Sequence, residues 1–93
     1  MIKKMSMTYE GTILEDFAKK ESALALIARE YDRAAETNGT FHSAHEGYAV
    51  ILEELDELKA EVWRKASKRD TEKMKKEAVQ VGAMALRFIV DVI

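Results

Sequence analysis

Apolar residues recur at three- and four-residue steps along three stretches of the chain, the spacing of one side of an α-helix. Leu14, Phe17, Leu24, Ile27, Tyr31 and Ala34 mark the first stretch. They predict one long helix from about Thr12 to Thr37, with Thr12 and Glu15 spaced as a capping box. Asn38-Gly39 ends it, because either residue accepts the left-handed conformation of a helix end. Residues 1–11 are expected to be a frayed, flexible segment ahead of a single domain over 12–93.

The second stretch opens with another capping box, Ser43 and Glu46, with Phe41 as a hydrophobic staple before it. It predicts a helix from Ala44 to about Lys65. Tyr48, Ile51, Leu55, Leu58 and Val62 lie on one side. Glu53, Glu54 and Glu57 crowd into an arc of about 100° on the other, with Glu46 and Glu61 in the same arc. Ser67 to Asp70 form a connection, and Asp70 or Thr71 caps a third helix running to the end of the chain. That helix is apolar nearly all round. One polar line, Lys73, Glu77, Gln80, Arg87 and Asp91, runs along it. Such a helix needs neighbours on most sides. The expected fold is all-α: three main helices in an antiparallel bundle completed by assembly into a homodimer or homotetramer.

Composition narrows the class. The chain has 93 residues, no proline, no cysteine and four glycines. That length suits one domain, and the turn signals of an all-β chain are missing. Without cysteine there are no disulfides, thiol catalysis or thiolate ligands, which agrees with a cytoplasmic protein. The formal net charge of −2 makes nucleic acid an unlikely partner. The most apolar stretch, residues 78–93, is too short and too polar to span a bilayer.

The acidic arc carries the candidate chemistry. On an exposed surface it is a solvated face, with Lys59, Arg64 and Lys65 pairing to acids one turn away. If the second and third helices pack antiparallel, Glu53, Glu54 and Glu57 instead meet Glu77 and, one turn on, Gln80. Carboxylates with an amide oxygen suit Mg²⁺ or Mn²⁺ better than zinc. Lys73 and Lys76 are then placed to bind a triphosphate, and Arg87 to reach a phosphate or pair with Asp91. His42 and His45 read equally as loop and capping residues, and the single tryptophan, Trp63, as a core or interface residue.

Glu53-Glu54-Leu55-Asp56-Glu57 followed, after residues 58–76, by Glu77-Ala78-Val79-Gln80 resembles the signature of the MazG-like, all-α nucleoside triphosphate pyrophosphohydrolases. That signature is E-E-x-x-E on one helix and E-x-x-D on the next. The resemblance covers roughly Phe41 to the end. It implies a dimeric or tetrameric helical fold and Mg²⁺-dependent hydrolysis of an NTP or dNTP to the monophosphate plus pyrophosphate. Glu54, Glu57 and Glu77 would be metal ligands, and Glu53 a further ligand or the residue orienting the attacking water. His45 would line the nucleotide pocket. Two departures stand out: Gln80 replaces the signature aspartate, and the family's usual fourth helix is missing. Glutamine offers a neutral oxygen without charge. The alternative expectation is therefore a non-catalytic helical interaction module that keeps the fold without turnover.

Overall fold

A computed structural model describes residues 6–93, with side chains from Leu14 onward. It contains α1 (Ser6–Asn38), α2 (Ala44–Val62) and α3 (Thr71–Val92), with a 3₁₀ turn at Ala66–Lys68 before α3. Among the described residues there is no strand. The all-α expectation therefore holds.

Two boundaries differ from expectation. Helix α1 already runs at Ser6, so Thr12 lies inside it and residues 6–11 are helical. A lone Gly11 costs about 1 kcal/mol in a helix and does not end one. Residues 1–5 of the expected flexible segment lie outside the described residues. Helix α2 stops at Val62, where the Trp63 N–H donates to the Lys59 carbonyl at 2.9 Å. Lys65 then turns to ψ 144° and leaves the helical region.

The caps follow the local chemistry. Ser43 Oγ accepts from the Glu46 N–H at 3.1 Å, while the Glu46 carboxylate accepts from the N–H of His42, one residue ahead of the cap. Asp70 Oδ1 accepts from the Glu72 N–H at 2.9 Å and the Lys73 N–H at 3.3 Å. Gly39 takes φ +76° after α1 and donates to the Ala35 carbonyl at 3.2 Å, as a residue without Cβ does at little cost.

Helix α3 is the middle element. It packs against both α1 and α2, and among the described residues those two do not pack on each other. Residue 47 on α2 meets Phe88, while Glu54 and Glu57 meet Glu77, so α2 and α3 are antiparallel. Ile27 meets residue 82, and Arg87 donates to the Gly39 carbonyl, so α1 and α3 run the same way. Three helices side by side make a flat body of 50 × 34 × 19 Å. Little lies inside it. Ala34, Phe41, Ala83 and Met84 are buried, with Ile27, Tyr31, Val50, Ile51, Phe88 and Val92 half-buried around them.

The rotation of α2 about its own axis decides the site. Gly47, Val50, Ile51 and Glu54 turn toward α3, whereas Tyr48, Leu52 and Leu55 stay exposed. Contact is close at Gly47, where a Cβ would lie 2.7 Å from Phe88 Cδ2 and 3.1 Å from Phe41 Cδ2. The helix therefore rests on α3 along the margin between its apolar and acidic sides, and this carries Glu54 inward.

Candidate functional site

Two turns of α2 and one of α3 build the acidic cluster. Glu54 and Glu57 stand one turn apart on α2, and antiparallel packing sets Glu77 opposite them. One carboxylate oxygen from each of Glu54, Glu57 and Glu77 lies within 4.8 Å of the other two. Glu54 and Glu77 are half-buried and Glu57 is exposed. Glu77 Oε1 is buried and has no hydrogen-bond partner.

The electrostatics follow from this crowding. Burial is the main reason the Glu54 carboxyl is pushed up to about 7, followed by the charges of Glu57, Glu77 and Glu53. Burial likewise raises Glu77, with Glu57 adding to it. Like charges in a partly dry site disfavour simultaneous ionisation. Protons or an added cation relieve the conflict.

Beside the cluster, a cleft of about 300 Å³ opens between the end of α1, α2 and α3. Glu53, Glu54 and Gln80 line it, as do Arg33 from α1 and Arg87 from α3. Glu54 is therefore shared between cluster and cleft, whereas Glu53 lines the cleft without joining the three converging glutamates. Gln80 is half-buried, and its amide helps hold the Glu30 carboxyl below its ordinary value, after the larger effect of Arg33. Arg33 donates through Nε to Glu30 at 2.9 Å. Glu30 in turn holds the Arg33 guanidinium above its ordinary value.

Arg87 is only 2% exposed. It donates to the Gly39 carbonyl and to Met84 Sδ, and its guanidinium carbon lies 4.2 Å from the Phe41 ring centre. Its Nε has no partner. Asp91, the expected pairing candidate, instead accepts from the Phe41 N–H at 3.0 Å. Arg87 and Asp91 thus strap the α1–α2 loop onto α3.

The remaining candidates are spread out. Lys73 and Lys76 are exposed on α3. Lys76 lines a groove toward α1 with Arg29 and Lys75. His45 is exposed in the first turn of α2 and does not line the cleft. Trp63 is exposed at the end of α2, with Lys59 Nζ 5.8 Å from its ring.

Glu30 and Arg33 escaped the sequence reading, which treated α1 as packing alone. The signal was their spacing of three, which places an acid and a base on one side of a helix.

No family model, curated protein or solved structure matches the chain. Among the described residues no helix is long and apolar enough to cross a membrane.

Proposed function

We propose that the chain is a Mg²⁺-dependent nucleotide pyrophosphohydrolase, converting an NTP or dNTP to its monophosphate and pyrophosphate. The observation carrying this is the convergence of Glu54, Glu57 and Glu77 from two helices, with one buried glutamate oxygen left without a donor. An all-oxygen donor set of this charge fits a hard divalent cation. The signature-like order of these residues along the chain adds to the reading.

Glu54, Glu57 and Glu77 would hold Mg²⁺, with Mn²⁺ as a substitute and Gln80 as a neutral neighbour. When bound, the ion polarises phosphoryl oxygens and lowers the pKa of water. Glu53, exposed next to Glu54 and lining the cleft, would accept a proton from an attacking water. Arg33 and Arg87 line that cleft together with Glu46, Glu53 and Glu54 and would offer guanidinium donors to phosphate oxygens, with Lys73 and Lys76 exposed outside it.

The test incubates pure protein with NTPs and dNTPs and Mg²⁺, scoring monophosphate and pyrophosphate. Turnover lost in Glu54→Ala and Glu57→Ala supports the assignment. Turnover retained in both removes it.

One observation favours a second reading. The Gln80 amide helps hold the Glu30 carboxyl below its ordinary value, after the larger effect of Arg33, which gives the neutral residue a use without any metal. In that case the protein is a helical interaction module, and calorimetry would detect no saturable Mg²⁺ or nucleotide binding.

A further inference from the structure

The net charge of −2 is not spread evenly along the chain. Residues 59–73 hold six Lys or Arg and three Asp or Glu, a surplus of +3, so the rest of the chain carries −5. This stretch is the tip of the α2–α3 hairpin: the last turn of α2, the 3₁₀ turn and the first turn of α3. Hydrogen bonds gather its cations. The Lys68 N–H donates to the Lys65 carbonyl at 2.8 Å, and the Arg69 guanidinium reaches back to the Arg64 carbonyl at 3.3 Å. Two of the three acids are already engaged. Glu61 pairs with Arg64 at 3.0 Å, and Asp70 caps α3. Among the described residues no ion pair involves Lys65, Lys68, Arg69 or Lys73.

Trp63 stands amid this charge and is 74% exposed. It lies outside the core of Ala34, Phe41, Ala83 and Met84, so of the core and interface roles expected for it only the interface remains. A bare indole among unpaired lysines suits single-stranded nucleic acid, whose phosphates take the lysines while a base stacks on the ring. An anionic membrane would use the same lysines, but interfacial binding also needs several apolar side chains to enter the headgroup boundary. The tip offers Trp63 alone. Val62 is half-buried, and Leu55, the nearest large exposed apolar residue on α2, lies about 12 Å back along the helix.

We infer that a short single strand of nucleic acid binds across this tip, its phosphates held by Lys65, Lys68 and Lys73 and one base stacked on Trp63. One aromatic ring and three lysines make a site of a few nucleotides with little sequence preference. Glu53, Glu54 and Glu57, further back on α2, repel the phosphates and confine the strand to the tip. The inference does not rest on the hydrolase reading, because Trp63, Lys65 and Lys68 belong neither to the cleft nor to the acidic cluster.

Trp63 is the only tryptophan, so its own emission reports the contact. The full chain is titrated in EDTA, which keeps cations off the acidic cluster, with oligothymidylate or oligouridylate of about eight nucleotides. Each strand should quench the emission with a Kd between about 10⁻⁶ and 10⁻⁴ M, and log K should fall against log salt with a slope of about −2, as for three phosphates of a single strand. Binding is then read from the anisotropy of a labelled strand. Lys65→Glu combined with Lys68→Glu should weaken it at least about tenfold, and Trp63→Ala at least about fivefold, with helix content unchanged by circular dichroism. Lys19→Glu, on α1, should bind as wild type does. Emission that neither strand alters, equal affinity in Trp63→Ala, or phosphatidylserine vesicles that shift the emission to the blue where the strands do nothing would each overturn the inference.

Discussion

Glu54 on α2 and Glu77 on α3 hold carboxylate oxygens within 4.8 Å of each other, and burial pushes both upward in pKa. The pair is therefore an electrostatic conflict built into the contact between two helices. Its resolution depends on solution conditions, and this makes it accessible to experiment.

The first consequence is pH dependence. Glu54 has a folded-state pKa of about 7, above the ordinary value of roughly 4.3 in an unfolded chain. A raised carboxyl favours folding while protonated. Its contribution is complete below the unfolded value and is lost as pH rises through the folded one. In EDTA, thermal melts should show stability falling between about pH 4.5 and 7 by on the order of 1 kcal/mol from this group, after solvent screening. Glu54→Gln should flatten that slope. An unchanged slope in the variant would place the conflict elsewhere.

Gln80→Asp restores charge beside Glu54 and Glu77 while placing it near Glu30. In EDTA the variant should melt lower than wild type, because the Glu30 carboxylate loses an amide donor and gains a like charge. Titrated with Mg²⁺ in a calorimeter, it should bind more tightly than wild type, because an anionic ligand replaces a neutral one. Equal affinity in both proteins would show that residue 80 lies outside the ion's reach.

Gly47→Ala tests the close approach of α2 to α3. The added methyl group would meet the Phe88 ring at 2.7 Å, and overpacking of that kind costs about 1–3 kcal/mol. Better helix propensity offsets about 0.5–1 kcal/mol. Gly82→Ala is the control, since its new methyl meets the mobile end of Ile27 at 2.9 Å, which a rotamer change relieves. Urea titration should show Gly47→Ala clearly less stable and Gly82→Ala close to wild type. The reverse order would mean that the Phe88 ring yields and Ile27 does not.

Much of this was legible in the sequence. Apolar spacing located three helices, and Ser43, Asp70 and Gly39 marked ends that the structure keeps. The Glu54, Glu57 and Glu77 cluster followed from helical periodicity and a short connection. Other features depend on tertiary packing, which periodicity does not encode. The apolar side of α2 pointed to Tyr48 and Leu55 as inward residues, yet helix–helix contact settled on Gly47 and Ile51 because a glycine allows the nearest approach. Arg87 read as a polar outlier on an apolar helix. Its burial depends on the Gly39 carbonyl and the Phe41 ring, which a local pattern cannot bring to it. The start of α1 was set too late because a capping-box spacing also occurs inside helices.

Because α1 packs on α3 but, among the described residues, not on α2, the molecule has a seam. Outward movement of the first helix would leave the α2–α3 hairpin paired, but it would strip Ile27, Tyr31 and Ala34 from the core and break the Arg87 bond to the Gly39 carbonyl. Opening of that kind would widen the space next to Glu54 while leaving the two helices of the acidic cluster paired, so entry to the site is tied to the α1–α3 contact and the cluster to the α2–α3 contact.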